Sequence, residues 1–154
     1  MSRPPQGSQK DGTRRKARQA ALELLFEAHM RSVSPTELLQ DRLEHGGNEK
    51  DNPETPYIRP YTAQIVTGVT ENVERIDEVL STYSTKWPVA RMPNVDRELL
   101  RIGVWELLYN PEVDESVAVD EAVSLAARLS TDDSPAFVNG LLDRIAKLKP
   151  MLVE

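Results

Sequence analysis

An all-α fold of about seven helices is predicted by three observations on this 154-residue chain. Apolar residues recur at helical spacing in seven separate stretches. No stretch alternates with the period of two that a strand requires. Capping residues and prolines mark the ends of the periodic stretches. The expected arrangement is a single compact domain of crossed helices, with residues 1–12 as a disordered basic tail. The domain then spans 13–149, its halves being 13–84 and 94–149.

The elements follow in order. Residues 1–12 are proline, glycine, serine, glutamine and charge, with nothing to bury. Thr13 is the expected cap of the first helix, whose apolar stripe is Ala17, Ala21, Leu24, Leu25 and Ala28. Ser34-Pro35-Thr36-Glu37 reads as a capping box opening a second helix, which His45-Gly46-Gly47 closes. Residues 46–56 form a linker. The pattern from Tyr57 to Tyr83 is too long for one helix and breaks between Gly68 and Asn72. Trp87-Pro88 to Pro93 is a connector, and Asn94 caps a helix that Asn110-Pro111 stops. Two more helices cover about 116–129 and 134–148. Gly68, Gly103 and Gly140 lie inside helical patterns, where each costs ~1 kcal/mol relative to alanine. That cost points to close helix crossings at all three.

Charge is divided unevenly. The net charge is −6. Residues 1–18 hold Arg3, Lys10, Arg14, Arg15, Lys16 and Arg18 against Asp11 alone, a net +5, which leaves −11 for the rest. A basic arm on an acidic body suits RNA at one end and a basic protein elsewhere. Arg14 and Arg18 share a helix face and Arg15 is nearby, so the cations are expected to project from the exposed first turn, against the helix dipole. Arginine's planar fork suits phosphate and can stack on an unpaired base. A merely solubilising tail is the competing reading.

Other chemistry has little to work with. There is no cysteine, and the two histidines, His29 and His45, are in no metal-binding spacing. No metal, cofactor or catalytic residue is expected, and the chain is read as not an enzyme. No run of about 18 apolar residues is present to span a membrane, and no signal peptide opens the chain. A cytoplasmic location is expected. Asp132-Asp133 reads as capping charge before the last helix, and Asp120-Glu121 as a solvated face.

Four blocks carry a resemblance. They are Arg14 to Phe26; Tyr61 through Gly68-Val69 with Asn72 and Ile76-Asp77; Asp96 to Leu107; and Val117 to Val123 followed by Phe137-Val-Asn-Gly-Leu-Leu-Asp143. In order and spacing they resemble the NusB family of bacterial transcription antitermination factors, in an actinobacterial form, over residues 13 to 148. The resemblance implies two packed helical subdomains of a single compact domain, and binding of boxA, a single-stranded element of ribosomal RNA leader transcripts. It implies the ribosomal protein NusE as partner, within an RNA polymerase complex that reads through terminators. It places Arg14, Arg15, Lys16 and Arg18 in an arginine-rich RNA-binding motif, with Phe26, Arg101, Asp133 and Phe137 also at the RNA surface. Tyr83 and Asp96 fall in regions used for NusE. Core packing is the other reading of Phe26 and Phe137, and helix capping that of Asp133. Asp120 stands where asparagine is common in the family, and Ser130 where glycine is. The rival functional readings are a protein-binding helical adaptor, or a regulatory homodimer that buries the RNA face.

Overall fold

The structure, a computed structural model, describes residues 6–153, with side chains from residue 12 onward. Residues 1–5 of the expected tail lie outside the described residues. Among the described residues there are seven α-helices: α1 (Gln6–Arg31), α2 (Pro35–Arg42), α3 (Pro60–Glu71), α4 (Val73–Tyr83), α5 (Asn94–Tyr109), α6 (Glu115–Leu129) and α7 (Ser134–Leu152). A π turn at Leu43–Gly47 and a 3-10 turn at Val89–Arg91 complete the regular structure. There is no strand among the described residues. The fold class is all-α, as the periodicity predicts.

Several boundaries differ from the sequence reading. α1 begins at Gln6, so Thr13 lies inside it rather than capping it. Nothing between Gln6 and Thr13 is proline, and a helix propagates backward until a residue cannot join it. α3 begins at Pro60, not Tyr57. A residue before proline is pushed out of the α region, so Arg59 cannot be helical, while proline itself suits the first helical position. Ser34 forms no side-chain cap bond and pairs instead with the Thr36 hydroxyl at 3.1 Å, so the capping box does not form. Asn94 is the first residue of α5 rather than its cap. The break between α3 and α4 falls where glycine and asparagine predict it, with Asn72 Nδ2 donating to the Gly68 carbonyl at 2.8 Å.

The chain divides into two compact units, one ending at Thr67 and the other beginning at Gly68. In the first, Ala17, Ala21, Leu22, Leu25 and Ala28 of α1, Leu38 and Leu39 of α2, and Ile65 and Val66 of α3 are buried. The Thr62 hydroxyl donates to the Ala17 carbonyl at 3.0 Å. Small residues on α1 let the start of α3 come this close. Gly46, at φ +103°, turns the chain out of the π turn in a conformation that glycine adopts without strain.

In the second unit α5 is the centre, buried along nearly its whole length and packed against α4, α6 and α7. Two of the three helical glycines serve this packing. A Cβ on Gly68 would lie 2.1 Å from Trp105 Nε1, and one on Gly103 would lie 2.6 Å from a Leu142 methyl. Gly140 differs: a Cβ there would meet nothing within 4 Å. The crossing expected at Gly140 is absent, because this face of α7 opens onto a groove.

Candidate nucleic-acid interface

The basic segment sits on α1, but not at its first turn. With α1 beginning at Gln6, Arg14 to Arg18 lie beyond two helical turns, where the dipole acts weakly on them. Arg14 and Arg18 share a helix face as their spacing predicts, but that face does not point outward. Arg15 and Lys16 are exposed and Arg14 is half-buried, whereas Arg18 is only 1% exposed. The shared face of Arg14 and Arg18 turns toward α3. Their guanidinium carbons lie 4.9 Å and 5.9 Å from the centroid of the Tyr61 ring. The expectation that all four cations project outward is therefore corrected at Arg18. It follows Ala17, whose buried face draws the start of α3 against the helix and covers the next side chain.

Three cations, Arg14, Arg15 and Lys16, thus present donors on one stretch of helix, with a tyrosine behind the first of them. Guanidinium and ammonium groups so placed can bind phosphate, and the arginines can also stack on bases. Phe26 is half-buried on the same helix, eight residues beyond Arg18 and so about 12 Å further along its axis. It does not join the cations. Tyr61 is the residue that sequence reasoning missed here. Its signal was an aromatic beside basic residues, in Tyr57-Ile58-Arg59-Pro60-Tyr61.

In the second unit, the structure gathers residues that were assigned to different ligands. Tyr83, Asp133 and Phe137 line one groove of about 360 Å³ with Lys86, Gly140 and Arg144. Arg144 Nη1 donates to the Tyr83 carbonyl at 3.1 Å. Phe137 is half-buried, so core packing accounts for only part of it. Asp133 holds the cap position of α7 but makes no side-chain cap bond, and its carboxylate is exposed. The turn is tied by Ser134 instead, whose hydroxyl accepts the Thr131 N–H at 3.1 Å. Lys86, in the segment after α4, and Arg144, on α7, were not anticipated, each being a single cation in no recognisable pattern.

Of two expected surface contacts, Asp96 is buried and Arg101 is partly so. Asp96 is 1% exposed, and its carboxylate accepts the Ser130 hydroxyl at 2.6 Å and the Ser134 hydroxyl at 2.9 Å. It faces inward, where it binds α5 to the turn between α6 and α7. Ser130, where glycine is common in the family, has an extended backbone that any residue adopts. Its hydroxyl completes this network. Arg101 is half-buried and makes a bidentate pair with Asp77 at 2.9 Å and 2.8 Å, with Glu98 at 3.2 Å. Desolvation works against its charge, but the Asp77 and Glu98 carboxylates more than offset this and hold its pKa above the ordinary arginine value. Its donors serve the interior of the unit.

Among the described residues no group of three or more His, Cys, Asp or Glu is placed to hold a metal ion. No described helix is long and apolar enough to cross a membrane.

Comparison with known proteins adds to this geometry. The sequence profile of the NusB family matches residues 15–147. The transcription antitermination protein NusB of Kineococcus radiotolerans is 54% identical over 139 residues, covering 90% of this chain and 96% of that protein. Among solved structures, NusB of T. maritima superposes with a TM-score of 0.74 at 32% identity, covering 96% of this chain and 93% of that one. A crystal structure of the antitermination factors NusB and NusE in complex with dsRNA has a TM-score of 0.71 at 26% identity, covering 87% and 96%.

Proposed function

The chain belongs to the NusB family, and on that premise we propose that it is a non-catalytic antitermination factor that binds boxA RNA of ribosomal RNA leader transcripts together with NusE, in the cytoplasm. The observation that carries the RNA reading is the row Arg14, Arg15 and Lys16 on α1, with Arg14 held over Tyr61 at 4.9 Å. The cations bind phosphates of the transcript. Arg18, buried beside Tyr61, positions that ring and Arg14 rather than touching RNA. A second contact is the groove of the second unit, where Phe137 and Tyr83 offer rings, and Asp133 offers an acceptor for base N–H groups. The acidic remainder of the chain suits a basic ribosomal protein. Joint binding of RNA and NusE raises the affinity of each, because one contact brings the other near.

The related NusB–NusE complex holds double-stranded RNA, whereas stacking rings and arginine forks favour unpaired bases. The test is an anisotropy titration of boxA RNA, a scrambled RNA and a boxA duplex, each with and without NusE. The reading expects boxA single strand to bind tightest and NusE to strengthen it. Equal affinity for boxA and scrambled RNA would reduce the site to a nonspecific basic patch. Tighter binding of the duplex would replace the unpaired ligand by a paired one.

A further inference from the structure

The first unit holds a second feature beside the basic row. The end of the linker and the start of α3 form a groove of about 930 Å³ against α1, lined by Arg14, Lys50, Tyr57, Arg59, Tyr61 and Gln64 with no carboxylate among its lining residues. The chain as a whole carries six more acids than bases, so three cations without an acid is a local reversal of its charge. The cations alternate with rings. Arg14 lies over Tyr61 at 4.9 Å, and the Lys50 ammonium lies 5.8 Å from the centre of the Tyr57 ring. Both tyrosines are half-buried, so each ring is fixed in place with part of its surface still accessible. Pro60 starts α3 and keeps Arg59 out of the helix; Tyr57 precedes it in non-helical backbone and lines the same groove as Tyr61.

Interleaved cations and rings are the chemistry of unpaired nucleic acid. The cations follow the phosphates, and each ring takes a base whatever its identity. We propose that this groove is a further RNA subsite, which binds unpaired nucleotides flanking boxA without regard to their sequence through Lys50, Arg59, Tyr57 and Tyr61. Arg14 belongs to both the basic row and the groove, so the flank continues the path of the element bound on α1. The proposal rests on the RNA reading above. It assigns a role to the linker that differs from a passive connection.

The test compares two RNAs on the full chain: boxA alone, and boxA with six unpaired uridines at each end. The proteins are wild type, the double variant Lys50→Ala/Arg59→Ala, and Tyr57→Ala, with helicity checked by circular dichroism. None of these three residues is in the basic row. Wild type is expected to bind the extended RNA at least fivefold more tightly than boxA alone. Both variants lose that gain and keep the boxA affinity within twofold. A gain that survives in folded variants, or no gain in wild type, overturns the subsite and leaves the basic row intact. Loss of affinity for both RNAs alike overturns its assignment to the flank. If wild type binds neither RNA above a scrambled control, the RNA reading itself falls, and the subsite with it.

Discussion

The guanidinium carbon of Arg14 lies 4.9 Å from the centroid of the Tyr61 ring, joining the third turn of α1 to the first turn of α3. The ring fixes the direction of a cation that would otherwise sample many rotamers, so less entropy is lost when a phosphate binds. Replacing Tyr61 by leucine keeps apolar volume and removes the cation–π contact with Arg14, worth about 1 kcal/mol at this half-buried site. We expect RNA affinity to fall about two- to fivefold with little change in melting temperature. An unchanged titration curve would show that Tyr61 does not hold Arg14 for binding.

Gly68 and Gly140 separate two uses of a helical glycine. Alanine at Gly68 would bring a Cβ to 2.1 Å from Trp105 Nε1, and the buried ring has little room to retreat. We expect Gly68→Ala to destabilise by more than about 2 kcal/mol in urea unfolding. Gly140→Ala meets nothing within 4 Å and should stabilise by up to about 1 kcal/mol through helix propensity. Equal effects at the two positions would contradict the packing described for α3 and α5.

Asp96 anchors the α6–α7 turn, and its buried carboxylate is expected to make no direct contact with a partner. Asp96→Ala leaves the Ser130 and Ser134 hydroxyls without their acceptor and should cost about 2–3 kcal/mol, since hydrogen bonds to a charged group are the stronger kind. Measured on the folded fraction, NusE affinity should match wild type. A loss confined to NusE binding, with stability unchanged, would return Asp96 to the surface role the family resemblance implies.

Acid sensitivity should arise partly at Glu27. The Arg42 guanidinium bonded to it, with that of Arg31 at 2.9 Å, lowers its pKa below the ordinary 4.5. A carboxylate with a depressed folded pKa stabilises the fold fully above its unfolded pKa. That contribution is lost as pH falls through the folded value. Glu27→Gln should therefore lower the melting temperature at pH 7, by no more than a few degrees for a solvent-screened pair, and the difference should shrink below about pH 4.5. A difference that grows in acid would have the wrong sign for this linkage.

The fold was legible in the sequence wherever local chemistry decides it. The 3.6-residue stripes gave the helices, and the Gly68 to Asn72 break followed from residues that end helices. Helix starts were less legible at Thr13 and Tyr57, because a backward-propagating helix and the constraint of Pro60 compete with periodicity. In the site, the composition of the basic row was plain, but burial was not. Arg18 carries the same charge and spacing as its neighbours, and only the approach of α3 decides that it is covered. Asp96 and Arg101 read as surface groups because their partners, Ser130, Ser134 and Asp77, are more than twenty residues away in sequence. The grooves around Phe137 and Tyr57 depend on residues scattered along the chain, and no local pattern announces them.

The central claim is that Arg14, Arg15 and Lys16 bind the phosphates of a single-stranded RNA, while Arg18 does not. The measurement that tests it most directly is the salt dependence of boxA affinity for wild type and for Arg14→Gln/Arg15→Gln/Lys16→Gln. Three phosphate contacts predict a slope of about −2.1 in log K against log salt, where four would give about −2.8. The triple variant should bring the slope near zero. A wild-type slope near zero, or a variant that keeps the wild-type slope and affinity, would contradict the account.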